Sequence, residues 1–163
     1  MKNEAVRDGN SISDLAPAAI SNLQVVIPHR TAQLTRAALK YAARLADDLN
    51  SRIRLIDVHV VPYGVPLDEP PVDPRHVTRR LRQLAQESEV SISAEVVYAR
   101  DWEQGFRRSL APGSLVLMGI KRSWWRTSEK RFAARLRKLG HQVVWVEAER
   151  TERKPDRAQP SKK

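Results

Sequence analysis

Five short apolar runs, each bounded by turn residues, alternate with stretches whose apolar residues recur at helical spacing. This alternation constrains the fold more than any other feature of the chain. The runs are "LQVVIP" (Leu23 to Pro28), "IRLIDVHVV" (Ile53 to Val61), "SISAEVVYA" (Ser91 to Ala99), "SLVLMG" (Ser114 to Gly119) and "QVVWVE" (Gln142 to Glu147). Their β-branched content and length predict strands. Near-continuous apolar strands linked by amphipathic helices predict a parallel sheet covered on both faces, that is, a doubly wound, three-layer α/β sandwich of five parallel strands.

The helices read as follows. In "TAQLTRAALKYAARLADDL", Leu34, Ala38, Tyr41, Leu45 and Leu49 share one face, with Arg36, Lys40, Arg44 and Asp47 outside. "RHVTRRLRQLAQESE" places Val77, Leu81 and Leu84 together, and the loop before it, "PYGVPLDEPPVDP", is broken by five prolines. Asp101 suits the cap of a short helix, "WEQGFRRSL". "SEKRFAARLRKLG" turns Phe132, Leu136 and Leu139 inward and stops at Gly140. His76 and His141 are expected at the surface. Residues 1–22 read as a flexible arm, 23–148 as one domain, and 149–163 as a disordered basic tail.

The 163 residues are 41% hydrophobic, enough for one core, and carry a formal net charge of +10. That charge favours nucleic acid, anionic lipid or acidic proteins as partners. With no cysteine, disulfides, thiol catalysis and Cys-ligated zinc are excluded. The start has no continuous apolar segment of the secretory type, and no run approaches the roughly 18 residues of a membrane span. A cytoplasmic setting is expected.

In an open parallel sheet, ligands bind beyond the carboxyl ends of the strands where strand order reverses. Pro28 to Thr31, His59 to Val61 and Gly119 to Arg122 fall there. His29 and His59 read either as a proton-transfer or metal pair or as hydrogen-bonded strand-end histidines. The lack of a carboxylate at ligand spacing favours the second. Asp57 lies inside an apolar run, and a single carboxylate there is no acid–base pair. No G-x-S-x-G elbow is present. No enzymatic constellation and no cofactor are expected.

The segment from Lys121 to Lys138 holds eight basic residues and one acid, Glu129, around the adjacent Trp124 and Trp125. It reads either as a solvated helix face with tryptophans in the core, or as a contact surface. In the second case Trp124, Trp125, Arg126, Arg131 and Arg135 would meet an acidic protein or an anionic membrane surface. Single-stranded nucleic acid could also stack there, although no nucleic-acid-binding fold signature and no base-reading element is present.

The pieces together resemble the universal stress protein family. "PHRTAQLTRAAL" keeps Pro28, Thr35, Ala38 and Leu39 at the family's spacing. "LIDVHVV", "LVLMG" and "QVVWV" are similar to its second, fourth and last strands. The likeness spans about residues 23 to 147. It implies a ligand site formed by Arg30, Thr31, Val60, Met118, Gly119, Lys121 and Arg122. It also implies a homodimer paired along the last strand through Val143, Val144 and Val146. Nucleotide-binding members carry Asp after the first strand and a G-x2-G-x9-G-[ST] loop after the fourth. Here Arg30 stands for the Asp, Gly119 matches the first glycine, and Arg122 replaces the second. The third position falls at Phe132 by counting, or near Glu129 from the last strand backward. The resemblance therefore implies a degraded loop and a doubtful ATP site, with Arg30, Lys121 and Arg122 left as side-chain donors for another anion. "KRSWWRTSEKRFAARLRK" and "RAALKYAARLADD" are also similar to the cytosolic domain that ends some amino-acid-permease-type transporters.

Overall fold

A computed structural model describes residues 24–49, 52–121 and 127–148. Five strands and four helices alternate along the chain. They are β1 (Gln24–Pro28), α1 (Ala32–Leu49), β2 (Arg52–Val60), α2 (Pro74–Gln86), β3 (Ile92–Ala99), α3 (Trp102–Ser109), β4 (Leu115–Ile120), α4 (Thr127–Lys138) and β5 (Gln142–Glu147). All pair in parallel, in the order β3-β2-β1-β4-β5. The expected α/β sandwich is therefore the architecture found.

Two apolar layers hold it together. One face of the sheet, with Val25, Ile27, Leu55, Leu115 and Leu117, packs against Ala38, Leu39 and Ala42 of α1 and Leu81, Leu84 and Ala85 of α2. The other face, with Val26, Ile56, Val58, Val116 and Met118, packs against Phe106 of α3 and Phe132, Ala133 and Leu136 of α4. Adjacent residues of β1 and β4 thus serve opposite layers, which is why these strands are apolar at nearly every position.

The helix starts follow local chemistry. Asp73 caps α2 by accepting from the Arg75 N–H at 2.9 Å, with Pro74 at the first turn, where its missing N–H costs nothing. Asp101 caps α3 by accepting from the Gln104 N–H at 2.7 Å. Between β2 and α2, the Arg100 guanidinium donates to the carbonyls of Val61, Pro62 and Val65 and so pins the proline-rich loop.

Two expectations at the end of α4 are corrected. Leu139 is 42% exposed rather than inward, and His141 is only 9% exposed rather than superficial. The helix ends at Lys138, and Gly140 takes φ of +85°, which redirects the chain. The helical period no longer applies at Leu139, and His141, whose backbone N–H donates to the Leu136 carbonyl at 3.1 Å, is buried.

β3 and β5 are the sheet edges. Val143 and Val146 of β5 are buried in the two layers, while Val144 is half-buried. Among the described residues no helix is long and apolar enough to cross a membrane.

Candidate functional site

β1 lies between β2 and β4. The chain leaving β1 enters α1 on one face, and the chain leaving β4 enters α4 on the other. Their carboxyl ends therefore flank the point where a crevice opens. On the α3–α4 side lies a cleft of about 790 Å³, lined among others by Arg30, Trp102, Glu103, Arg131, Phe132 and Arg135.

Arg30 dominates its mouth. Its guanidinium carbon lies 4.3 Å from the centroid of the Trp102 ring, and Nη2 lies 3.7 Å from Oε1 of Glu129. The Glu129 side chain is only 7% exposed, whereas that of Arg30 is 36% exposed. Ser128 Oγ donates to Glu129 Oε2 at 2.9 Å. Beneath the guanidinium, Trp102 packs on Phe132 with ring centroids 4.1 Å apart and on Phe106 at 4.7 Å. A planar cation on an aromatic face next to a buried carboxylate is a favourable set of contacts for arginine. On the outer rim, Glu103 takes both Arg107, at 3.1 Å, and Arg135. Arg30, Arg107 and Arg135 of this cleft thus already face carboxylates of the same chain.

The residues singled out in sequence fall in different places. Thr31 caps α1, with Oγ1 accepting from the Leu34 N–H at 3.4 Å. Val60 is exposed at the end of β2, Lys121 is exposed after β4, and Met118 is buried in the layer beneath α4. Gly119 is buried, and a Cβ there would come 2.1 Å from the Leu34 carbonyl oxygen, so α1 crosses β4 only because this position lacks a side chain. Arg131 and Arg135, read in sequence as a separate contact surface, line the same cleft as Arg30. Arg122, Trp124, Trp125 and Arg126 lie outside the described residues. The α3 wall, Trp102 and Glu103, escaped the sequence reading. The available signal was an aromatic and an acid directly after the Asp101 cap, at a strand's carboxyl end.

The two strand-end histidines are hydrogen-bonded. His29 Nδ1 lies 2.8 Å from Thr35 Oγ1, and His59 Nε2 lies 3.2 Å from Asp57 Oδ2. Among the described residues no group of three or more His, Asp or Glu is placed to hold a metal. Burial pushes the His29 pKa below its ordinary 6.5. Asp57 opposes this, while Arg80 and His59 add to it. A histidine held neutral in the folded state lets the unfolded chain bind the proton first. Stability is then full above about pH 6.5 and falls as pH drops below it. Burial shifts His141 the same way. His29→Asn keeps a polar atom near Thr35 and removes the titration. Its melting temperature should fall less steeply than the parent's between about pH 6.5 and 5. Identical acid limbs in the two proteins would contradict this assignment.

No family model and no curated protein matches the chain. Solved structures do. A protein of the universal stress protein family from Burkholderia pseudomallei aligns with a TM-score of 0.52 and 20% identity, over 80% of this chain and 98% of that one. The universal stress protein from Archaeoglobus fulgidus aligns with a TM-score of 0.52 and 9% identity, over 76% and 93%. The fold is that of the universal stress proteins. At these identities the likeness is one of backbone alone, and the crevice of this chain is defined by its own side chains. There, Gly119 has a packing reason for being glycine. Arg30 and Glu129, the residues standing at the Asp and near the third loop glycine of the resemblance, face each other as an ion pair.

Proposed function

We propose that this chain is a non-enzymatic regulatory or interaction module of the universal-stress-protein type, in which the cleft at the sheet's carboxyl end is closed to ATP not by filling but because Arg30, Arg107 and Arg135 are engaged by the chain's own carboxylates. The observation that carries this reading is the Arg30 guanidinium set between the Trp102 ring and the buried Glu129 carboxylate. A polyphosphate entering there would compete with Glu129 for Arg30 and would sit beside a buried like charge, which disfavours it. The pairing of Arg107 and Arg135 with Glu103 works in the same direction. The module would act through surface contacts, with a second copy paired along the β5 edge, where unpaired backbone groups invite a strand.

The test is calorimetric titration of the full chain with Mg-ATP, alongside sedimentation at micromolar protein. The expected result is no measurable heat of binding and a dimer. Micromolar ATP binding would overturn the closed-crevice reading and favour a binder that uses arginine side chains. A monomer would remove the β5 pairing and leave the crevice reading standing.

A further inference from the structure

α2 carries Arg75, Arg79, Arg80 and Arg82 and no carboxylate. Elsewhere in the described protein, guanidiniums near acids are paired: Arg36 with Glu87, Arg54 with Glu95, and Arg107 and Arg135 with Glu103. Among the described residues the α2 arginines form no such pair. The acids at either end of the helix are engaged. Asp73 accepts from the Arg75 backbone N–H, and Glu87 takes a two-point contact from Arg36 at 2.6 and 3.0 Å.

The arrangement is directional. Arg75, Arg79, Arg82 and Gln86 recur at i, i+4, i+7 and i+11, so they form one stripe. Val77, Leu81, Leu84 and Ala85 lie on the opposite side and are buried against the sheet. Thr78 and Gln83 flank the stripe on the same outer face of the helix. Guanidinium, hydroxyl and primary amide groups all donate hydrogen bonds, and the three arginines span roughly 10 Å along the helix. A row of donors with fixed positive charge matches a row of phosphates.

We propose that the outer face of α2 binds the sugar–phosphate backbone of a nucleic acid without reading its sequence. The face favours this partner over two others. A membrane would need apolar side chains to enter the acyl boundary, and those of α2 are turned inward. A protein hot spot sits in a well-packed, desolvated pocket, and this exposed row of arginines on one helix forms none. Arginine and glutamine can also reach base edges, so an affinity that changes with duplex sequence at constant salt would overturn the sequence-independent reading.

Binding carried by phosphate contacts depends steeply on salt, with the slope of log K against log salt near −0.9 for each phosphate neutralised. The test is fluorescence anisotropy of the full chain with a labelled duplex of about thirty base pairs, from about 50 to 200 mM salt. Two triple variants are compared, Arg75→Gln/Arg79→Gln/Arg82→Gln and, with the same loss of charge, Lys40→Gln/Arg44→Gln/Lys138→Gln. Circular dichroism melts confirm that both fold. The α2 triple should lower the salt slope by about 2 to 3 and weaken binding at least about tenfold, and the control should change both far less. Equal losses in the two variants would show general charge attraction and overturn the assignment to α2. So would a parent that binds no duplex, or one that binds phosphatidylserine vesicles through these arginines and leaves DNA free.

Discussion

Gly119→Ala is expected to cost about 3 kcal/mol or more of folding stability, at the upper end of what overpacking a core does. The added Cβ would lie 2.1 Å from the Leu34 carbonyl oxygen, 2.7 Å from its carbonyl carbon and 3.0 Å from its Cα. All three are backbone atoms of α1, so no side-chain rotation relieves the contact. The helix must move off β4. That movement would open the layer in which Ala38, Leu39 and Ala42 meet Leu115 and Leu117. For a domain of this size the melting temperature should drop by roughly 6–12 °C, or the protein should fail to accumulate in soluble form. Urea unfolding of the two proteins measures it. The result also separates two reasons for glycine here. If the position served only close approach to a phosphate, the alanine variant would unfold with the parent and lose nothing but a ligand.

The second large effect is expected at Arg30. Arg30→Ala removes a cationic partner of a carboxylate that is only 7% exposed and that keeps its Ser128 hydrogen bond, and it strips the cation from the Trp102 face. Breaking a buried pair can cost about 3–5 kcal/mol. Arg30 is 36% exposed and 3.7 Å from its partner, so solvent screens much of that. With the stacking contribution, the net loss should be about 2 kcal/mol. Arg30→Lys should recover only part of it, because an ammonium cannot lie flat on the indole as a guanidinium does. The coupling is the sharper readout. Adding Glu129→Gln to Arg30→Ala removes a buried charge that has lost its Arg30 counter-charge and should recover part of the stability lost in Arg30→Ala alone. If the double variant is as unstable as the sum of the two singles, Arg30 and Glu129 do not act as a pair and the closed crevice loses its lock.

Element type and order were legible in the sequence by themselves, because each was set by local chemistry. The period of Leu34 and Ala38 made α1, the β-branched run from Ile53 made β2, and Asp101 placed the start of α3 by offering an acceptor to the Gln104 N–H. The parallel, two-faced sheet followed from strands apolar on both sides. Local pattern failed where the backbone left a regular period. At Leu139 and His141 the helical count ran past the end of α4, and the turn at Gly140 exchanged inside for outside. The candidate site was half legible. Position after β1 and β4 marked Arg30 and Gly119, yet their roles were set by neighbours remote in the chain. Gly119 is constrained by the Leu34 backbone of the crossing helix, and Arg30 by Trp102 from α3 and Glu129 from α4. Periodicity records which face of an element is buried but not which element covers it. Only the strand order β3-β2-β1-β4-β5 brings α1 over β4, and only the packed tertiary structure sets Arg30 between Trp102 and Glu129.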